Sequence, residues 1–219
     1  MKLIIVALDL PSLRYVAGIA AAGGFELVGV MTDGWSPDNA AMPAPLIDDP
    51  AAHVETRDCS LFIAGDAGLL NQRRLACLLR HKTAGSRMAT LVAKDADVHA
   101  AVRLRENVLV GYSARVGKGS DLGVNTVIGD RATIGSGARI GHSAWIGRDS
   151  VIGDDCRIGR NCVLGDGVRL APGCSLEPWT VLAGGYRLDA SPGRTIFVDD
   201  LFRSAVVMRG RAVAEDWSK

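Results

Sequence analysis

A histidine inside a strict repeat is the first candidate for chemistry in this sequence. In the stretch 140-IGHSAWIGRDSVIGDDCRIG-159, isoleucine followed by glycine returns every six residues, and His142 is the only histidine of the stretch. Imidazole titrates near neutrality, so this side chain can take a proton from an amine or a hydroxyl group as a general base. The alternative is a polar residue in a tolerant turn, and the repeat alone does not decide between the two.

The repeat extends far beyond this stretch. Counted by six from Val92 to Leu188, all seventeen positions are Val, Ile or Leu, and a fixed period is stronger evidence than local propensity. Small residues stand four positions after most of these aliphatics, which accounts for Cys156, Cys162 and Cys174 as buried small side chains. We therefore expect one short strand per hexapeptide, with the aliphatic side chain pointing inward.

This pattern resembles the left-handed parallel β-helix of hexapeptide-repeat proteins. The resemblance implies triangular turns of eighteen residues, so the sixteen hexapeptides should make about five turns, with Val124 and Arg160 on either side of His142. It implies glycines just past each corner, where a positive φ costs them little. It also implies a homotrimer, because prisms of this fold commonly pack side by side in threes.

The residues before the repeat predict an α/β fold. Apolar runs at 2–8, 25–31 and 60–64 predict strands, with a helix after the first strand and another through Leu69, Leu75, Leu78 and Leu79. We interpret 1–91 as a small Rossmann-like domain and 92–188 as the β-helix. Ligands of such sheets bind at the carboxyl ends of the strands, which makes four residues candidates for substrate binding: Ser12, Asp33, Gly65 and Asp66.

The last segment, 189–219, contains apolar strand candidates at 195–198 and 205–208. We expect this tail to fold back and cap the last turn of the β-helix, because a solenoid must cover the open end of its core.

Composition excludes several classes of function. Lys and Arg number 25 against 24 Asp and Glu, so no net charge attracts nucleic acid or a membrane surface. The apolar run at the N-terminus is too short for a membrane span, and we expect a cytoplasmic protein.

The five cysteines have no CxxC spacing, and His99 and His142 are too far apart for a three-histidine zinc site, so no metal site is predicted. His53, His81 and His99 are expected at the surface or in turns.

Two passages resemble one family in particular, the bacterial sugar O- and N-acetyltransferases that modify sialic acid and nucleotide-linked amino sugars. The first is 88-MATLVAKDADV-98, preceded by Gly65, Asp66 and an arginine, either Arg73 or Arg74. The second is 134-IGSGARIGHSAWIG-147, in which His142 falls on the family's catalytic histidine. The resemblance implies acetyl-CoA as co-substrate, a sugar or nucleotide-sugar acceptor, and His142 as general base.

Several positions depart from the family pattern. Ser143 stands where the family has an acid that orients the histidine, and we keep His142 and Ser143 as the candidate catalytic pair. Arg160 stands one turn beyond the histidine, where the family often has glycine. The first strand is followed by 7-ALDLPS-12, without the glycine-rich turn through which backbone amides approach a nucleotide phosphate.

Cationic and aromatic side chains of the repeat are candidates for binding CoA. We select Arg148 and Arg160 for its phosphates and Trp179 as a further contact. Trp145 is expected in a trimer interface or against CoA. Aspartates of the turns, including Asp130, are interpreted as solvated, and Asp149 is also a candidate for the missing orienting acid.

Two other functions stay open at this point. The departures also fit a non-catalytic trimer that serves as a scaffold or ligand-binding module. They fit equally an acyltransferase whose acceptor is a small amine or alcohol rather than a sugar. An acyl-CoA-dependent acyltransferase acting on a sugar or nucleotide sugar is the function that the sequence favours.

Overall fold

The structure is a computed structural model that describes residues 1–37, 42–48, 59–66 and 71–198, together with the backbone of a short strand at 206–207. His53 and Leu69, and most of the tail beyond residue 198, lie outside the described residues. No helix in the described part of the chain is long and apolar enough to cross a membrane.

The N-terminal part is a parallel sheet of three strands with one helix on each face. The elements are β1 (Lys2–Ala7), α1 (Leu10–Ala22), β2 (Glu26–Thr32), β3 (Cys59–Ala64) and α2 (Gln72–Thr83), and the strand order is β2-β1-β3. The three predicted strands are confirmed within one residue at each end. The predicted α/β fold of this part is confirmed, and its assignment as a Rossmann-like domain stays a prediction.

Alternation along β1 explains why both faces of this sheet are covered. Leu3, Ile5 and Ala7 pack with α1, whereas Ile4 and Val6 pack with α2. All five side chains are at most 1% exposed, as expected of a parallel strand that is apolar on both faces.

The second part is a parallel β-helix with a rung at every predicted position. Its strands are β4 (Leu91–Val92), β5 (Asp97–Val98), β6 (Arg103–Leu104), β7 (Leu109–Val110), β8 (Arg115–Val116), β9 (Asp121–Leu122), β10 (Val127–Ile128), β11 (Thr133–Ile134), β12 (Arg139–Ile140), β13 (Trp145–Ile146), β14 (Val151–Ile152), β15 (Arg157–Ile158), β16 (Val163–Leu164), β17 (Arg169–Leu170), β18 (Ser175–Leu176), β19 (Val181–Leu182) and β20 (Arg187–Leu188).

Each rung pairs with the rung eighteen residues away, so the strands form three parallel sheets around one core. The aliphatic residue is the second of each rung, and from Val110 to Leu182 these residues are at most 3% exposed. Cys156, Cys162 and Cys174 are buried in the same core, as predicted. The seventeen rungs, three to a turn, make close to six turns rather than the five expected from sixteen hexapeptides.

The repeat contains glycines of two kinds. Gly119, Gly137, Gly167, Gly173 and Gly185 have the positive φ that was expected in the turns, whereas the ten glycines that directly follow an aliphatic, from Gly111 to Gly165, do not. Positive φ occurs two residues later, at residues such as Asn125 (63°) and Ser143 (54°), and not at these glycines. A Cβ atom on Gly141 would lie 2.6 Å from the backbone nitrogen of Arg160 in the next turn. Gly141 therefore allows these two turns to approach more closely than a residue with a Cβ atom would.

The tail adds two more strands to one face of the prism. Strand β21 (Ile196–Val198) stacks on β19 in parallel, and β22 (Val206–Val207) pairs with β21 in antiparallel orientation. Ile196 and Val198 are each 5% exposed and lie in the core of the prism.

The N-terminal part packs on this same face, which we call the docked face and define as the sheet of β4, β7, β10, β13, β16 and β19. Leu91, Leu109 and Val127 on its outer side join the core that α1 and the N-terminal sheet form. The docked face therefore has two edges, each a stack of turns, where candidate side chains of the two parts can meet.

Candidate functional site

A cavity of about 360 Å³ lies between the carboxyl edge of the N-terminal sheet and the docked face. Predicted residues from both parts line it, namely Ser12, Gly65, Asp66 and Arg148. The carboxyl edge of a parallel sheet is where ligands of such sheets bind. The remaining lining residues are Pro11, Tyr15, Val16, Phe62, Ile63, Ala64, Arg74, Leu109, Val127, Gly129, Asp130, Trp145, Gly147 and Asp166.

Trp145 forms part of the wall of this cavity. Its side chain is half-buried and packs with the core under α1. The N-terminal part of the same chain packs against it, and the expected contact of Trp145 with CoA or a trimer partner stays a prediction.

The N-terminus of α1 borders the cavity, and a carboxylate already caps it. Asp9 accepts a hydrogen bond from the backbone N–H of Ser12 at 2.7 Å and another from its hydroxyl at 2.9 Å. Pro11 removes a further N–H from the first turn. The positive end of the helix is thus neutralised from within the chain, where a glycine-rich turn would leave it open to phosphate.

Gly65 lines the cavity and allows close packing of the side chains beneath it. A Cβ atom at this position would lie 2.7 Å from Cδ1 of Leu8 and 3.0 Å from Cγ of Arg74. Any larger residue would push these side chains apart, so the glycine is needed for close packing at the end of β3.

Tyr15 and Asp130 connect the two parts across the cavity. The Tyr15 hydroxyl donates a short hydrogen bond to Oδ1 of Asp130, which also accepts the backbone N–H of Tyr112 at 2.8 Å. Burial, and then this hydrogen bond, raise the pKa of Tyr15 far above its ordinary value. Tyr15 is therefore a fixed proton donor, and Asp130 is not the solvated turn residue that the sequence suggested.

Arg148 lines the cavity together with the carboxylate that it binds. Its backbone N–H donates to Oδ1 of Asp166 at 2.8 Å, and its guanidinium donates to Oδ2 at 2.9 Å. The hydrogen bond that Arg148 donates to Asp166, and then the charge of Asp166, raise the pKa of Arg148 above the ordinary value.

The opposite edge of the docked face holds a buried polar network, which we call the clamp: Asn71, Arg74, Asn107, Asn125 and Ser143. All five residues are at most 1% exposed. The side-chain amide of Asn107 donates to Asn125 at 2.8 Å, and that of Asn125 donates to the Ser143 hydroxyl at 3.0 Å. These side chains form a ladder that runs along the stacked turns.

Arg74 and Asn71 join this ladder to the N-terminal part. The Arg74 guanidinium donates to the backbone carbonyl of Ile63 at 3.3 Å and to that of Asn125 at 3.2 Å. Asn71 Nδ2 donates to the carbonyl of Ser143 at 3.0 Å. Burial lowers the pKa of Arg74 to about 10, so its guanidinium remains charged at neutral pH.

Ser143 therefore has a structural position. Its side chain is enclosed in the clamp and its backbone φ is 54°. The expectation that Ser143 acts directly in catalysis is wrong, because a side chain with no exposed surface cannot contact a substrate.

His142 lies beside the clamp, exposed at the corner of the prism and outside the cavity. Its Nδ1 accepts a hydrogen bond from the backbone N–H of Val124 at 3.0 Å, and its carbonyl accepts the N–H of Asn161 at 2.9 Å. The predicted stacking of Val124 and His142 is confirmed. A backbone amide, and not an acidic side chain, holds the imidazole in place.

Asp149 does not replace the missing acid. It binds the Arg131 guanidinium at 2.7 Å on the other edge of the docked face. The hydrogen bond from Arg131 lowers the pKa of Asp149 by more than partial desolvation raises it.

Asp33 and Trp179 also lie away from the cavity. Asp33 ends β2 on the α2 side, where Arg80 binds it at 3.2 Å. Partial burial works to raise the pKa of Asp33, but hydrogen bonds from Arg80 and Cys77 outweigh it and the pKa lies below the usual value. Trp179 is 38% exposed, with a positive φ of 67°, two turns beyond Ser143.

His81 is buried in a helix, and not at the surface or in a turn as expected from the sequence. It is 9% exposed on the buried face of α2, and burial, together with the charge of Arg80, lowers its pKa. His99 is exposed, as expected. Within the described residues there is no cluster of three or more His, Cys, Asp or Glu side chains that could hold a metal ion.

The repeat itself matches a family model. Residues 125–153 and 149–184 match the bacterial transferase hexapeptide repeat, which confirms the left-handed β-helix that the period predicted. No curated protein matches the amino-acid sequence.

Solved structures share the fold along nearly the whole chain. One is a variant of perosamine N-acetyltransferase from Caulobacter crescentus with asparagine in place of a histidine, in complex with CoA and GDP-perosamine. It is 20% identical, with a TM-score of 0.80 over 94% of this chain and 96% of that one. Another is the acetyltransferase domain of PglB from Neisseria gonorrhoeae in complex with acetyl coenzyme A, which is 16% identical with a TM-score of 0.75 over 94% and 98%.

Proposed function

We propose that this protein is an acyltransferase that uses acetyl-CoA and acts on an amino or hydroxyl group of a sugar or similar small acceptor. The observation that carries the proposal is the fold shared over 94% of the chain with acetyltransferases whose solved structures contain CoA or acetyl coenzyme A. In the reaction, the acceptor nitrogen or oxygen attacks the thioester carbonyl carbon and the carbon–sulfur bond breaks. The acceptor loses one proton, and the CoA sulfur gains one.

We place the acyl-transfer centre at His142 and the CoA along the same corner of the prism. Arg160 follows His142 by one turn, and Trp179 belongs to the turn after that. Asn161 is 3% exposed and its side-chain Nδ2 has no hydrogen-bond partner in the described part of the chain. A buried donor of this kind is costly unless an acceptor atom reaches it, and a carbonyl oxygen of the pantetheine arm supplies one.

The acceptor belongs in the cavity at the carboxyl edge of the N-terminal sheet, which we regard as a Rossmann-like acceptor domain. Because His142 lies at the opposite edge of the docked face, the acceptor held by one protomer is acylated at the His142 corner of a neighbouring protomer in the homotrimer proposed below. Ser12, Gly65 and Asp66 line the cavity with the Tyr15–Asp130 pair, and Arg148 completes it. Arg148 is therefore a residue of the acceptor site in this proposal rather than of the CoA site.

The same cavity favours an acceptor without a nucleotide diphosphate. Asp9 caps α1, and the carboxylates of Asp66, Asp130 and Asp166 line the wall. The guanidinium groups of Arg74 and Arg148 line the same wall, and Arg148 is paired with Asp166, so a small net negative charge remains. This charge and the capped helix favour an amine over a diphosphate at the place where a glycine-rich turn would bind phosphate. A free amino sugar or another small amine fits this lining better than a nucleotide sugar does.

Calorimetry with acetyl-CoA tests the acyltransferase and separates it from a non-catalytic scaffold. We expect saturable binding of acetyl-CoA, weakened in a variant that replaces Arg160 with Ala and unchanged when Arg139, an exposed arginine on another face, is replaced. Absence of heat at millimolar acetyl-CoA would favour the scaffold. Thiol release with a free amino sugar and with its nucleotide conjugate then ranks the two acceptor classes.

We further propose a homotrimer in the cytoplasm. Sedimentation equilibrium should give three times the chain mass of 23.0 kDa, and a monomer would remove this part of the proposal.

A further inference from the structure

His142 occupies a position that the prism uses repeatedly for a hydrogen-bond acceptor. At three equivalent turn positions an aspartate Oδ1 accepts the backbone N–H of the residue eighteen positions earlier: Asp130 from Tyr112 at 2.8 Å, Asp154 from Ser136 at 2.7 Å and Asp166 from Arg148 at 2.8 Å. Nδ1 of His142 accepts the N–H of Val124 in the same way, at 3.0 Å. The fold therefore fixes this nitrogen as an acceptor.

This hydrogen bond determines which ring nitrogen of the neutral imidazole carries the proton. In neutral imidazole one nitrogen donates and the other accepts, and the partner of one nitrogen sets the state of the other. Because Nδ1 accepts from Val124, the proton resides on Nε2. Nε2 is the nitrogen left to face a ligand, and it is a donor.

A general base needs the opposite arrangement. Its substrate-facing nitrogen must be unprotonated, and a partner that accepts from Nδ1–H, such as a carboxylate, normally enforces this. The residue after His142 is Ser143, which has no acidic side chain and is enclosed in the clamp. It therefore cannot accept a hydrogen bond from Nδ1 as the family's acid would.

We propose that His142 acts through Nε2–H as a hydrogen-bond donor to the thioester carbonyl oxygen and is not the general base expected from the sequence. The inference rests on the proposed acyltransferase function. A neutral imidazole can stabilise the negative charge that develops on a carbonyl oxygen, and a preorganised donor of this kind contributes about 100- to 1000-fold in rate. The proton of the attacking nitrogen passes to solvent water, and the CoA sulfur takes a proton from solvent.

The tautomer can be measured without any ligand. In the full-length protein labelled with ¹⁵N-histidine, long-range ¹H–¹⁵N spectra at a pH where His142 is neutral should show Nε2 protonated and Nδ1 unprotonated. The sequence has four histidines, and the spectrum of H142Q identifies the His142 signals. A protonated Nδ1 on His142 would overturn the proposal whatever the activity.

Three substitutions at His142 test the role in the reaction. A glutamine amide keeps both an acceptor for Val124 and an outward N–H but has no basic nitrogen. Asparagine keeps only the acceptor within reach, and alanine keeps neither. We expect H142Q to retain kcat within about tenfold of wild type, while H142N and H142A lose at least about 100-fold. Equal losses in all three variants would overturn the donor role.

The control is D154A, which removes the equivalent acceptor from another corner of the prism. It should leave kcat unchanged, so a loss confined to His142 is not a general effect of losing a backbone hydrogen bond. A wild-type protein that transfers no acyl group refutes the proposed function, whereas an active wild-type protein with Nδ1–H refutes only the donor role.

Discussion

The two edges of the docked face have the same backbone and opposite chemistry. At the clamp, Asn125 and Ser143 are fully buried with φ of 63° and 54°. At the cavity edge, Arg131 and Asp149 have nearly the same φ, 55° and 57°, yet their side chains are more than half exposed. The repeat therefore determines the turn geometry, and the element that packs outside it determines whether a polar side chain is structural or available to a ligand.

His142 differs from the other residues of the clamp edge. It belongs to the clamp edge by sequence position but is exposed, because the N-terminal part covers Ser143 and stops short of the imidazole. The clamp holds the turn rigidly, and the hydrogen bond from Val124 holds the ring. A catalytic group needs this combination of fixed orientation and access.

The largest expected effect on stability comes from breaking the clamp. Replacing Arg74 with Met keeps much of the apolar volume but leaves the carbonyls of Ile63 and Asn125 short of donors. We expect a loss of about 3 kcal/mol in the free energy of unfolding, measured by urea denaturation. The matched control, R73M, changes an exposed neighbour on α2 and should stay within about 0.5 kcal/mol of wild type. An R74M protein as stable as wild type would mean that the clamp contributes nothing.

A smaller effect is expected at the cavity edge. Tyr15→Phe removes the hydrogen bond to Asp130 and should cost about 1–2 kcal/mol. Because the folded protein raises the pKa of Tyr15 above the ordinary 10.0, its contribution is complete below pH 10 and falls as the pH rises further. Unfolding measured at pH 8 and at pH 10.5 should therefore show a smaller difference between wild type and Y15F at the higher pH. Y112F is the control, and an equal pH response in both variants would contradict the assignment.

The smallest effect is expected at the Arg131–Asp149 pair. Both side chains are exposed, and exposed ion pairs contribute little. Asp149→Ala should change neither the urea midpoint nor the rate of thiol release. A loss of activity in D149A would revive Asp149 as the acid that orients His142.

The sequence was sufficient for the β-helix because one physical rule repeats. Every aliphatic from Val110 to Leu182 faces the core, and a period of six leaves no other arrangement that buries them all. The expected positive φ is found at turn glycines such as Gly119 and Gly137. The close stacking that requires glycine at Gly141 was not predicted, because it is a contact between neighbouring turns that one hexapeptide does not reveal.

The clamp and the cavity could not be predicted in the same way. A signal for the clamp exists, since Asn107, Asn125, Ser143 and Asn161 are polar residues spaced eighteen apart. Their partners Asn71 and Arg74 come from another part of the chain, and no local pattern indicates that contact. His81 was misplaced although it follows the apolar residues Cys77 and Leu78 by four and three positions on the same helical face, a spacing that predicts burial.

Acceptor-dependent release of CoA thiol from acetyl-CoA tests the central claim most directly. Wild-type protein and H142A are compared at equal folded concentration with free and nucleotide-linked amino sugars. We predict release that depends on the acceptor in wild type and is at least about 100-fold slower in H142A. A wild-type rate no faster than that of H142A with every acceptor would contradict the account.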